Sequence, residues 1–168
     1  MMCQSKLEKI ALEHDAAKLF MRAYEQRFGI EVRHIWHNEP RRPDVSCYLG
    51  DDKLDLEIAH LYGSEAQAME ILGRELTSAT RAELAVIDLL DETHERLVTA
   101  LNRILAGKAK KCYDSPRVWL VIRNANPAWN ATDIHSAKVE IQVPENTPFE
   151  QIWMVGDWQG SSGIVRLD

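Results

Sequence analysis

The sequence predicts an α/β fold, a mixed central sheet flanked by helices, on three observations. Residues 5 to 28 carry apolar side chains at helical spacing, residues 30 to 61 read as a three-stranded meander, and RVWLVIRNA, residues 117 to 125, is a nearly continuous β-branched and aromatic run. Such a run suits a strand covered on both faces, and one sheet with helices against it is the simplest architecture that accommodates all three.

In chain order, Ile10, Ala16, Ala17, Phe20, Tyr24 and Phe28 mark the buried stripe of the first helix, and Gly29 stands where a helix-terminating glycine belongs. IEVRHIW, residues 30 to 36, alternates as a half-buried strand does, and Pro40 and Pro43 punctuate the segment after it. VSCYLG and KLDLEIAHL then form two strands about a tight acidic turn at Asp51-Asp52. From Ser64, a candidate N-cap, SEAQAMEILGREL reads as a helix. The stretch from Thr77 to Leu90 fits a buried strand about as well as a helix, and is read here as helical. Thr93 caps a helix from about His94 to Lys111, with Leu97, Leu101, Ile104 and Leu105 on one face and lysines toward its C-terminus, where the helix dipole favours cations. The RVWLVIRNA strand is expected centrally. A short helix over Ala131 to Ala137 and two strands, QIWMVGDW and GIVRLD, joined through Gly160-Ser161-Ser162, complete the order α, β, β, β, α, β, α, β, β, with the helical segments between residues 64 and 111 counted as one layer.

A chain of 168 residues with 45% apolar and 27% charged side chains has the size and composition of one globular domain, residues 1–168, and no repeat or linker divides it. No apolar run approaches the ~18 residues of a membrane span, and MMCQSKLEKIALEHD lacks a secretory apolar core, so a cytoplasmic protein with no membrane partner is expected. Cys3, Cys47 and Cys112 are odd in number and form no CxxC, which predicts buried free thiols rather than disulfides or a zinc knuckle. A net charge of -6 argues against binding nucleic acid through bulk electrostatics. Contacts with phosphates would have to be local, through Arg41-Arg42 or Lys108, Lys110 and Lys111. HExxH, GxSxG and glycine-rich phosphate loops are absent. Trp153 and Trp158 read as core aromatics of the last strands.

Three features carry chemistry. A hairpin loop of two or three residues sets Asp44 opposite a residue between 57 and 59, so Asp44 and Glu57 are near neighbours. Alternation sends Asp55, Glu57 and Ala59 to one face and Leu54, Leu56 and Ile58 to the other. Clustered carboxylates repel, and a bound cation relieves the repulsion; oxygen-only ligands favour Mg2+ or Mn2+. The plainer alternative is that Asp55 and Glu57 form the wet face of an antiparallel strand and Asp44 a bend residue. Second, Glu13 falls within the apolar stripe of the first helix, either as a buried acid or at the stripe's margin. Third, the stripe Leu97, Leu101, Ile104 continues into Lys108 and Lys111, which places cations on the inward face or, alternatively, at the helix end for the dipole.

Asp44 after Pro43, followed by Glu57 within LDLEIAHL, resembles the PD-(D/E)xK nuclease-like superfamily, and the order helix, three-stranded meander, helix, strand over residues 10 to 125 is similar to its common core. The resemblance implies a restriction-endonuclease-like fold and metal-dependent hydrolysis of the phosphodiester bonds of nucleic acid. By that resemblance Asp44 and Glu57 hold the metal and Glu13 joins them. The family's lysine two positions after the glutamate is replaced here by Ala59. Members with a relocated lysine imply that Lys108, or else Lys111, takes its role, while Arg41 and Arg42 contact flanking phosphates. Ala59 leaves as the alternative a catalytically inactive module of the same fold that binds protein or nucleic acid; the resemblance implies a homodimer, and the acidic charge of the chain suggests a partner protein for targeting.

Overall fold

The computed structural model describes residues 4–38, 43–62 and 93–168. Its elements are α1 (Gln4–Phe28), β1 (Val32–His37), β2 (Val45–Leu49), β3 (Asp52–Leu61), α2 (Thr93–Ala109), β4 (Val118–Asn124), α3 (Ala131–Ala137), a 3-10 turn (Lys138–Glu140), β5 (Gln151–Val155) and β6 (Ile164–Arg166). The segments from Ser64 and from Thr77 to Leu90, together with Cys3, Arg41 and Arg42, lie outside the described residues.

Among the described residues, six strands form one sheet in the order β1-β2-β3-β4-β5-β6. The β1–β2, β2–β3 and β5–β6 pairs are antiparallel, and β3–β4 and β4–β5 are parallel, so the sheet is mixed, with its parallel core at β3, β4 and β5. Every residue of β4 is buried, as the unbroken apolar run requires of a central strand. Gly29 ends α1 with a positive φ and donates its N–H to Glu25 O at 2.8 Å. Gly50, also left-handed, opens a two-residue turn with Asp51 that sets Leu49 opposite Asp52.

Each face of the sheet carries its own apolar layer. Ala16, Ala17 and Phe20 of α1 pack on Val45, Leu56, Ile58, Trp119 and Trp153. Leu97, Leu101 and Leu105 of α2 and Ile134 of α3 pack on Leu61, Leu120, Ile122 and Ile152. Burying a side chain of this size contributes about 1.5–3 kcal/mol, and because both faces of β3 are covered, residues 54 to 59 are buried without interruption. Trp153 is core as expected, while Trp158 is only partly buried, because it lies beyond the end of β5.

Two sequence expectations are corrected. Helix α2 stops at Ala109 rather than Lys111: its last turn contains Gly107, a weak helix former, and the chain turns at Lys110. Cys112 follows that turn and is therefore exposed, whereas Cys47, on β2, is buried and its thiol is pushed up to about 12 by burial and by the nearby charge of Asp55. Among the described residues, no helix is long and apolar enough to cross a membrane.

Candidate acidic site at the split edge of the sheet

The site arises where β2 parts from β3. Their last paired residues are Val45 and Leu56; before Val45 the chain bends at Pro43, which has no N–H to give a ladder. Asn38 fixes the bend, its backbone N–H donating to Asp44 O at 3.0 Å and its side-chain amide to Pro43 O at 2.9 Å and Ser46 Oγ at 2.7 Å. Asp44 then does with its side chain what the departed strand would have done with its backbone: Oδ2 accepts the Ile58 N–H at 2.9 Å. Among the described residues no strand pairs with β3 on this side beyond Leu56, so side chains from both layers can meet at that edge.

They do meet there. Asp44 meets Glu57 from β3 and Glu13 from α1 closely enough for both to act on its carboxyl, and Glu13 and Glu57 are only 5% and 3% exposed. On the α2 side, Glu57 Oε2 accepts from Lys108 Nζ at 3.2 Å and from the Tyr113 hydroxyl at 2.6 Å. Lys111 Nζ stands farther off, 3.8 Å from the same oxygen, with 55% of its side chain exposed against 20% for Lys108. The ambiguity over Glu13 is thus resolved toward burial, and Lys108 is the lysine that turns inward. Lys110 is exposed.

The electrostatics follow from crowding acids in a dry place. Burial lifts the Asp44 carboxyl above its ordinary value; the adjacent Glu13 pushes the same way, and the Ile58 N–H opposes. Burial also lifts Glu57, with the charge of Lys108 opposing and Asp44 adding to the rise. Tyr113, buried against Glu57, is held far above its ordinary value and stays a hydrogen-bond donor. Burial and the neighbouring Lys108 lower Lys111, while Glu57 resists.

Asp55, on the same face as Glu57, is not part of this cluster. Its oxygens accept from Ser46 Oγ and Ser115 Oγ, each at 2.5 Å, which ties β2, β3 and the approach to β4 together. Asp55 is 3% exposed, so its strand face is not the wet one of the plainer alternative.

Among the described residues no group of three or more His, Cys, Asp or Glu side chains is set to hold a metal ion. The donors nonetheless suit a hard cation. They are oxygens only, burial raises the proton affinity of Asp44 and Glu57, and Glu13 Oε2 is buried with no hydrogen-bond partner. Magnesium is commonly held by one or two carboxylates with water and substrate phosphate completing its shell, and the Asp44–Glu57 pair meets that requirement without a three-residue cage.

Tyr113 is the site residue that sequence reasoning missed. It lies in a loop without periodicity, and its contact with Glu57 spans 56 positions. Comparison of the chain with protein-family models, with curated proteins and with solved structures finds no match.

Proposed function

We propose that the chain is a restriction-endonuclease-like domain that hydrolyses phosphodiester bonds of nucleic acid with Mg2+ or Mn2+. The observation that carries the reading is the convergence of Glu13, Asp44 and Glu57 from three separate elements, with Lys108 3.2 Å from Glu57, at the split edge of a mixed sheet. Among the described residues the order α1, β1-β2-β3, α2, β4 supports it further, since it is similar to the family core that the sequence resembles.

Asp44 and Glu57 would hold the ion, which when bound polarises a phosphoryl oxygen and lowers the pKa of water. Glu13 orients Asp44, and Tyr113 with Lys108 fixes the Glu57 carboxylate. Lys108 supplies a positive charge, held low in solvent exposure, to the oxygens on which charge develops as phosphorus is attacked. The residue two after Glu57 is Ala59, which has no such group, so the cation comes from α2 instead. Arg41 and Arg42 would contact flanking phosphates.

A second reading, an inactive module of the same fold that binds nucleic acid or protein, is favoured by Ala59 and by the engagement of Glu57 Oε2 with two donors. Calorimetry with Mn2+ and Mg2+ on the wild type, Asp44→Ala and Glu57→Ala, followed by cleavage assays on mixed single- and double-stranded DNA and RNA, separates the two. The nuclease reading expects metal binding that both variants lose, and cleavage that falls roughly 10²–10³-fold in Lys108→Ala. Metal binding without cleavage of any substrate supports the inactive module. Absence of metal binding in the wild type refutes the metal-dependent mechanism.

A further inference from the structure

His60 and Arg123 are direct partners in the parallel β3–β4 ladder, and both lie on the α1 face of the sheet, with His60 three residues along β3 from Glu57. Arg123 is 2% exposed, an unusual place for a guanidinium. It donates Nε and Nη2 to Trp158 O at 3.0 and 2.5 Å and stacks over the Trp158 ring at 3.5 Å. Its remaining nitrogen, Nη1, is 2.9 Å from Asp15 Oδ2, yet makes no aligned hydrogen bond. His60 is flanked by Tyr62, with stacked rings 6.1 Å apart, and by Trp158 at 5.9 Å, and its Nε2 is buried with no hydrogen-bond partner. The charges of Arg123, Lys108 and Asp15 all act on the ring.

Two buried groups therefore have unused hydrogen-bonding capacity at one place, and unused capacity of this kind is normally taken up by a ligand or water. Arg123 faces the carboxylate of Asp15, and the charge of Lys108 also reaches the His60 ring. That carboxylate is the loosest member: 58% of the Asp15 side chain is exposed, and its hold on Nη1 is off-line. An exposed acid on a buried arginine occupies the position that an anionic oxygen of a ligand would take.

We propose that Arg123 and His60 form an anion subsite that seats a phosphate group of a bound nucleic-acid strand, with Asp15 occupying the seat until the strand arrives. The proposal rests on the nuclease-like reading for the source of the phosphate. Three residues of strand separate His60 from Glu57, about 10 Å, so the seated group is a neighbour of the phosphate at the acids and not that phosphate itself. A neutral His60 with its proton on Nε2 donates a hydrogen bond to a phosphate oxygen there, and Arg123 turns Nη1 from Asp15 to the ligand. This gives an acidic chain a local means of registering a strand against its acids.

Inorganic phosphate, titrated by calorimetry without divalent metal at pH 7.5, tests the subsite apart from cleavage. Asp15→Asn removes the competing charge and leaves the buried pair in place, so it should bind phosphate about fivefold or more tightly than the wild type. His60→Phe in the Asp15→Asn background should abolish that gain, and Asp44→Ala should leave it intact. No phosphate binding by either the wild type or Asp15→Asn, or a gain indifferent to His60, overturns the subsite. A noncleavable oligonucleotide that displaces phosphate from Asp15→Asn supports a strand as the source, and one that does not overturns that source. Cleavage failing while phosphate binding behaves as stated would sink the nuclease reading and leave the subsite standing.

Discussion

Glu57 Oε2 receives two donors of different kinds, an ammonium at 3.2 Å and a phenol at 2.6 Å, and they should be separable by pH. The Tyr113 hydrogen bond favours the charged carboxylate and so opposes the rise that burial causes. Tyr113→Phe removes that hydrogen bond with little change in volume. Glu57 then holds its proton to higher pH, and the proton competes longer with a metal ion. Manganese affinity of the variant, followed by calorimetry across pH, is expected to fall below wild type where Glu57 still holds its proton and to converge with it once the carboxyl is ionised in both proteins. Metal-free stability should drop by about 1 kcal/mol for the lost hydrogen bond. A loss of affinity equal at every pH would mean that Tyr113 merely holds the loop in place.

At the scale of elements, the end of β5 is fitted against the start of α3 with almost no clearance. Asn130 caps α3, its side chain accepting from the Thr132 and Asp133 N–H groups while Asp133 Oδ2 accepts from the Asn130 N–H. Asn124, at the end of β4 and fully buried, donates to Trp129 O at 2.8 Å and Gly156 O at 2.9 Å, which draws the two strand ends together. A Cβ at Gly156 would lie 2.7 Å from Ala131 Cβ and 2.8 Å from Ala131 N, a backbone atom that cannot step aside. Gly156→Ala is therefore expected to destabilise the protein by about 1–3 kcal/mol in denaturant unfolding, with an unchanged m-value. The elements themselves were legible where local rules decide them: the stripe of α1 and its terminal glycine, the hairpin register that puts Asp44 beside Glu57, and the central run of β4. Glu13 and Lys108 were legible as polar breaks in apolar stripes. What the sequence withheld depends on pairing between distant segments. His60 could be assigned to the α1 face by alternation, but Arg123 becomes its neighbour only through the β3–β4 ladder, and Tyr113 reaches Glu57 only because α2 stops two residues short of Lys111.

The whole molecule carries two opposed pH dependences from groups three residues apart on one strand. Burial, with the charges of Arg123 and Lys108, lowers His60 from 6.5 to about 4, so the folded protein keeps it neutral where the unfolded chain would protonate it. The unfolded state then binds more protons, and stability is lost as pH falls from about 6.5 toward 4, by up to about 3 kcal/mol. Asp44 and Glu57 act the other way. Their proton affinities in the folded state exceed the ordinary 3.8 and 4.5, so their contribution is present below those values and is lost as pH rises through the elevated ones. Metal-free thermal unfolding should accordingly show His60→Phe flattening the acid-side fall and Glu57→Gln flattening the decline on the other side. Divalent metal should oppose only the second decline, because it takes the place of the protons that Asp44 and Glu57 release. At a hundredfold excess over its dissociation constant it adds about 2.7 kcal/mol, and that gain should shrink as pH falls and vanish in Glu57→Gln. A metal-induced rise in melting temperature that persists in Glu57→Gln would put the cation elsewhere on the protein and separate the raised proton affinity of the acids from any role in holding it.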